Sequence, residues 1–413
     1  MADGVWCPNP WRNQTWTLDG LSGVRGFYYT FWLVPVPNQH GHIQTQQPTT
    51  MTRVVAPFSF ISCLLLAIPI HSYSPIRVLY DSSNNLHRDI QYHPEQPARI
   101  EACVEALQPL DRIQLQDVSV DSENSFSNDE LSHARYMLVE AHSEDFVSTL
   151  EQKCRNSKQR RLEEGKTPLG FIGYLDDDTY MTTETFDVCL RATAAWIRAV
   201  DVAMEDDNRV PTMALTRPPG HHATKTLANG FCVFNFAAAA ALHALFKYPA
   251  IKLSILDWDV HYGQGVADIV QRQPRARYVS IHQLHAFPYM GEKFQVSGDY
   301  QNIMTIPISA ETTWTCGYEQ ALTEKALPFV RTVGEWEPDL VMVCSGYDAL
   351  DSDELASVSL QAPDFGRMTR RLRDHIQSAG LMLGMEGGYQ LSKSAAGGNL
   401  ADAVVETVKA LSE

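Results

Sequence analysis

The sequence predicts an α/β fold in which a mainly parallel sheet carries helices on both faces, and two observations carry that expectation. Four short apolar runs, 210–215, 251–256, 339–344 and 381–385, each stop in a polar or glycine-rich turn, the pattern of a buried parallel strand ending at a sheet edge. Helical periodicity over residues 186–203 and 236–246 falls between such runs, as alternating strand–helix units require. Residues 76–413 form one segment long enough for a single large α/β unit with its own core.

In chain order, residues 1–50 are rich in Trp, Pro, Gln and Thr without clear periodicity and read as a poorly ordered extension. Residues 51–75 open with Met51-Thr52-Arg53 and continue into an apolar stretch interrupted by Pro57, Ser59 and Pro69. That stretch suits a signal or organelle-targeting core, too short and broken for a stable membrane span, or else a buried element packed on the domain. On the first reading translation is expected to start at Met51, residues 1–50 being an upstream extension, and the protein to enter an organelle. Otherwise cytoplasm or nucleus is expected. Residues 118–129, rich in Ser, Asp, Asn and Glu, read as a surface loop, and the basic run 153–161 as an exposed helix face.

The ends of the four apolar runs hold the chemistry. Run 210–215 leads into Arg217-Pro218-Pro219-Gly220-His221-His222, and 251–256 into Asp257-Trp258-Asp259-Val260-His261. Run 339–344 leads into Ser345-Gly346-Tyr347-Asp348, and 381–385 into Glu386-Gly387-Gly388-Tyr389. If the strands are parallel, all four ends meet along one edge, where open α/β sheets bind ligands. The alternation of Asp257, Asp259 and His261 would put three polar groups on one strand face, a donor set suited to Zn²⁺ or another first-row divalent cation. The same run also suits a polar strand end satisfied by loop hydrogen bonds. Together the four ends supply ligands, a base and an oxyanion donor, the parts of metal-assisted hydrolysis.

These motifs, with Gly230-Phe231-Cys232-Val233-Phe234-Asn235 and Ser280-Ile281-His282, resemble in content and order the zinc-dependent histone deacetylase and acetylpolyamine amidohydrolase family. Weaker likenesses are His93-Pro94-Glu95, His142-Ser143 and Asp178-Thr179-Tyr180. The resemblance covers residues 76–413 and is closer to the class II and bacterial-type branch. It implies a three-layer α/β/α arginase/deacetylase-type fold and a catalytic domain over that span. It also implies one Zn²⁺ per chain on Asp259, His261 and Asp348, with an open position for water and substrate.

By the same resemblance His221 and His222 are the tandem pair beside that water, one a general base and then acid, the other mainly electrostatic. Tyr389 would donate to the developing oxyanion. Asp257 would orient the first histidine. Gln264 stands where the family has Asp or Asn opposite the second, which puts the tuning of His222 in question. Tyr262 replaces a common second histidine that is not a ligand. A structural K⁺ site is implied around the carbonyls of Asp257, Asp259, His261 and Ser280. Gly230 and Phe231 match one wall of a substrate channel, and Phe287 is the candidate for the other, although Tyr289-Met290-Gly291 departs from the family's rim turn. Leu355 stands where polyamine-selective relatives carry an acid, which favours acyl-lysine; Glu354 beside it keeps a cationic polyamine in view.

The implied function is hydrolysis of an acetyl amide, foremost N-acetyl-lysine in proteins such as histones. An acetylpolyamine or other small acetylated amine is the alternative substrate, and an inactive acyl-lysine-binding scaffold the non-enzymatic alternative. A net charge of −16 opposes direct nucleic-acid binding but not docking of a basic peptide. Apolar content of 44% is ordinary for a globular enzyme. The eight cysteines include no C-x₂-C pair, so neither a zinc finger nor a disulfide framework is indicated. Cys232 and Cys344 read as buried thiols.

Overall fold

The computed structural model describes residues 75–205, 209–392 and 397–413. The expectations for residues 1–50, and for the targeting-like stretch up to residue 74, lie outside the described residues. Among these residues no helix is long and apolar enough to cross a membrane.

Eleven strands appear in chain order. They are β1 (Ile76–Tyr80), β2 (Ile113–Asp117), β3 (Phe171–Tyr174), β4 (Tyr180–Thr182), β5 (Thr212–Leu215) and β6 (Leu253–Asp257), then β7 (Ala276–Gln283), β8 (Gln295–Ser297), β9 (Ile303–Ile308), β10 (Leu340–Ser345) and β11 (Gly380–Met385). β3 and β4 form a small antiparallel pair. The other nine make one sheet in the order β2-β1-β5-β11-β10-β6-β7-β9-β8, parallel throughout except for the β8–β9 pair at one edge. The four apolar runs are β5, β6, β10 and β11, and they are consecutive neighbours in this order. Their motif-bearing ends therefore lie side by side.

Side chains on a strand alternate between faces, and here the alternation separates two cores. Leu340, Met342 and Cys344 of β10 pack on one side with Trp196, Phe236 and Ala240 from helices Thr185–Glu205 and Phe236–Lys247. Val341 and Val343 pack on the other with Phe365, Met368 and Val404 from helices Ala362–Ile376 and Leu400–Ser412. Burial on both faces leaves nearly continuous apolar strands, which is why these runs stood out. The result is the expected three-layer α/β/α arrangement. Residues 118–127 do form a loop, but Val118 and Phe126 are buried, and Ser127 caps the helix Asn128–Ala141 in a capping box with Glu130.

One local expectation is corrected. β6 ends at Asp257, so Asp259 and His261 lie in the loop beyond it and not on the face of a strand. The carboxylates themselves peel the chain off the ladder. Asp257 Oδ1 accepts the N–H of Asp259 (3.1 Å), and Asp259 Oδ1 accepts that of His261 (2.9 Å), the local side-chain bonding that competes with sheet pairing.

Candidate functional site

Asp259, His261 and Asp348 come together beyond the ends of β6 and β10, their ligand atoms all within 4.8 Å of one another. His261 Nδ1 faces Asp348 Oδ2 at 2.9 Å and Asp259 Oδ1 at 3.3 Å. The remaining oxygens are held by backbone: Gly387 N–H donates to Asp259 Oδ2 (2.8 Å) and Val260 N–H to Asp348 Oδ1 (2.9 Å). Gly387 has to be glycine, because a Cβ there would overlap the nearest oxygens of both carboxylates. Two buried carboxylates beside one imidazole are costly without a cation between them. One nitrogen and two oxygen donors fit a divalent metal with an open position.

His221, Cys232 and Glu386 also lie close enough to share an ion. Both His221 nitrogens, however, already face carboxylates, Nδ1 toward Asp257 Oδ2 at 3.1 Å and Nε2 toward Asp259 Oδ1 at 3.6 Å. Burial pushes the Cys232 thiol well above its ordinary range, which opposes a thiolate ligand. The Asp–His–Asp set is the better metal site.

The tandem histidines lie with ring centroids 4.0 Å apart, tilted at 43°, and differ in their partners. His221 Nδ1 is held by Asp257, whose Oδ2 also accepts the Tyr278 hydroxyl at 2.7 Å. His222 Nδ1 lies 2.8 Å from Gln264 Oε1, while Gln264 Nε2 donates to the His222 carbonyl at 3.1 Å. That second bond fixes which way the amide points. The Gln264 oxygen therefore accepts, His222 Nδ1 carries the proton, and Nε2 keeps its lone pair. Gln264 thus does for the second histidine what Asp257 does for the first, without a charge. Burial opposes a proton on His221, but Asp259 and Asp257 outweigh it and lift the imidazole to about 10. Burial, reinforced by His221 and His261, drives His222 well below its ordinary range. The two shifts are opposite, His221 favouring the charged form and His222 the neutral one.

Tyr389, buried at the end of the β11 loop, packs edge-on to Phe231 with centroids 5.5 Å apart. The Arg99 guanidinium lies 4.7 Å above its ring and donates from Nε to the Gly388 carbonyl at 2.7 Å. Gly230 and Phe231 turn with φ of +52° and +67°, pinned by Asp176 Oδ2 on the Gly230 N–H (3.1 Å) and Thr179 Oγ1 on the Phe231 N–H (2.9 Å). Phe287 stands edge-on to His222 at 4.9 Å and fills the space a Cβ at Gly230 would need, so it packs directly against Gly230. The rim loop that bears it is anchored where His282 Nε2 meets the Gly291 carbonyl at 2.9 Å. Leu355 is exposed, and its backbone N–H donates to Asp353 Oδ1 at 3.1 Å. Beside it Glu354 accepts the Tyr92 hydroxyl at 3.2 Å.

Sequence reasoning gave no role to Arg99, Asp176, Tyr278 or Asp353, and it quoted Glu386 without one. Glu386 Oε2 accepts the N–H groups of Gly220 (2.6 Å) and His221 (3.1 Å), holding the backbone of the tandem pair. Its place beside Gly387-Gly388-Tyr389 was the available signal. Arg99, at the start of a helix, meets Glu95 at 3.4 Å, a contact with no helical register behind it and no signal in the sequence.

Comparison with known proteins follows the same lines. The histone deacetylase domain family matches residues 93–407. The chain is 33% identical over 336 residues to an uncharacterized protein of Synechocystis, covering 81% of this chain and 99% of that one. It is 28% identical over 361 residues to rice "Histone deacetylase 10, chloroplastic", covering 84% and 75%. It is likewise 28% identical over 286 residues to the zebrafish "Polyamine deacetylase HDAC10", covering 66% of this chain and 39% of that longer one. Among solved structures, the HDA15 HD domain aligns with a TM-score of 0.66 at 24% identity, over 81% of this chain and 90% of that one, a likeness of fold.

Proposed function

The chain belongs to the histone deacetylase family of hydrolases, and from that premise we propose that it removes the acetyl group from N-acetyl-lysine side chains with a Zn²⁺ held by Asp259, His261 and Asp348. The observation that carries the reading is the orientation of Gln264, which leaves His222 Nε2 unprotonated beside the ligand trio. Zn²⁺, when bound, supplies Lewis-acid polarisation of the amide carbonyl and a lowered pKa for the water next to it.

The chain's own residues do the rest. His222 Nε2 takes the proton from the attacking water and returns it to the leaving amine. His221, whose Nδ1 is held by Asp257, acts beside it through its electrostatics. The Tyr389 hydroxyl donates to the oxyanion as charge develops, a contact that counts most in the transition state. Phe231 and Phe287, whose rings pack on His93 at 4.7 Å and on His222 at 4.9 Å, are the aromatic walls this reading assigns to an unbranched aliphatic stem. A structural K⁺ beside Asp257 and Ser280 belongs to the same proposal. A neutral amide in place of the family's Asp or Asn could favour an inactive scaffold, but Gln264 bonds His222 through both its oxygen and its nitrogen, which supports catalysis.

Leu355 supports lysine over a polyamine, since an apolar side chain gives a second cation no partner. The rival reading, an acetylated polyamine, is favoured by Glu354, which Tyr92 holds as a fixed anionic point. The test is acetate release by the full chain, Zn²⁺-loaded, from an acetyl-lysine peptide and from N-acetylputrescine. Faster release from the peptide, abolished by a chelator and restored by Zn²⁺, is expected. Faster turnover of N-acetylputrescine overturns the lysine assignment, and release that survives chelation overturns the metal.

A further inference from the structure

The loop after β10 contains a buried acid that the chemistry above does not use. Asp353 is 6% exposed, and among the described residues no salt bridge reaches it. Its partners are backbone N–H groups. Oδ2 accepts from Tyr389 at 2.7 Å and from Gln390 at 3.2 Å, and Oδ1 accepts from Leu355 at 3.1 Å. Next to it the Ser352 carbonyl accepts the Gln390 side-chain amide at 2.7 Å. A buried carboxylate without a cation is expensive unless every oxygen is hydrogen-bonded, and here the three donors come from two segments, one carrying Tyr389 and Gln390 and the other Leu355.

Tyr389 needs such a hold. It follows Gly387-Gly388, with Gly388 at φ +113°, so the chain before it has more backbone freedom than any other residue pair would allow. A backbone rotation of about 10° swings a tyrosine oxygen by about 1 Å, and a misplacement of that size costs on the order of 10²-fold in rate. We propose that Asp353 is a positioning residue that aims the Tyr389 hydroxyl at the reacting carbonyl and ties that aim to the Leu355 side of the channel mouth. The role rests on the reading of Tyr389 as oxyanion donor.

Asp353→Asn tests it. Asn has a single acceptor oxygen, so it cannot serve both Leu355 and the Tyr389–Gln390 pair, and its amide hydrogens would face donors. With the full chain and Zn²⁺, kcat is expected to fall about 10- to 100-fold while KM and metal content stay unchanged. On a Tyr389→Phe background the same substitution should cost nothing further, because the group it aims is gone. The second readout needs no turnover. With 3-fluorotyrosine at position 389, the parent should give one narrow ¹⁹F resonance and Asp353→Asn a broadened or divided one. An unchanged resonance overturns the proposal, as does a loss that multiplies with that of Tyr389→Phe. If no variant hydrolyses any acetylated amine, the functional reading falls and the fluorine spectrum still decides the positioning role. Should Asp353→Asn not fold, Asp353→Ser is read by the same two measurements.

Discussion

Replacing Gln264 by Met keeps a side chain of similar length and removes its acceptor. In the parent, Gln264 Oε1 takes the His222 Nδ1 proton at 2.8 Å, at a place where His222 is 4% and Gln264 7% exposed, so bulk water has little access to substitute. A buried N–H left unpaired costs about 1–3 kcal/mol. The imidazole can escape that cost by moving its proton to Nε2, which removes the lone pair the reaction needs. At about 1.4 kcal/mol per factor of ten, the competent form falls by roughly ten- to a hundredfold. The expected result is a loss of that size in kcat, with metal content intact and KM nearly unchanged, because Gln264 lies behind the histidine and away from the channel. The assay is steady-state acetate release from an acetyl-lysine peptide across pH 6–9, with metal measured on the same samples. Gln264→Met at the parent rate with metal bound would refute the tautomer argument.

Tyr389→Phe should lower kcat by about 10²–10³-fold, the usual effect of one oxyanion donor, and leave metal binding intact; stopped assays with metal analysis would check it. Gly387→Ala should weaken metal affinity, since a Cβ there overlaps Asp259 and Asp348; competition with a zinc-binding dye reads this, and an unchanged affinity would count against the site. Leu355→Glu should shift preference from the peptide toward N-acetylputrescine, measured as the ratio of the two kcat/KM values. Burial opposes ionised Glu95, yet the Arg217 guanidinium holds its carboxyl down at about 2 in the fold, with two bonds of 2.6 Å. A depressed carboxyl stabilises above its unfolded value, and that contribution disappears as pH falls from about 4.5 to about 2. Thermal melts of Glu95→Gln should therefore depend less steeply on pH in that window than those of the parent.

Some of this architecture was legible because it follows from local pattern. β5, β6, β10 and β11 are apolar on both faces and end in Gly- and Asp-containing turns, so their existence and direction could be read from short windows. The histidine pair, the Asp257–His261 run and Tyr389 could be read because several uncommon residues sit close together. Other parts depend on contacts across long separations. Arg99 reaches the Gly388 carbonyl and Asp353 the Tyr389 N–H, and in sequence each looks like an ordinary helix or loop residue. The strand face proposed for Asp259 and His261 failed because periodicity does not register a carboxylate that captures the N–H two residues on. The orientation of Gln264 depended on a carbonyl in another segment and was beyond any pattern.

The strand order has a consequence for how the enzyme comes into being. β2, β1 and β5 form one block and β10, β6, β7, β9 and β8 another, and among the described residues β11 is the strand that pairs with both. The metal trio belongs entirely to the larger block, whereas the tandem histidines follow β5 in the smaller one. During synthesis the candidate ligands are all present once Asp348 has emerged, whereas the strand that joins their block to that of the tandem histidines, residues 380–385, comes later. A chain interrupted before Gly380 would keep the candidate ligands and the tandem histidines but lack the strand that joins the two blocks, and with it Glu386, Gly387 and Tyr389.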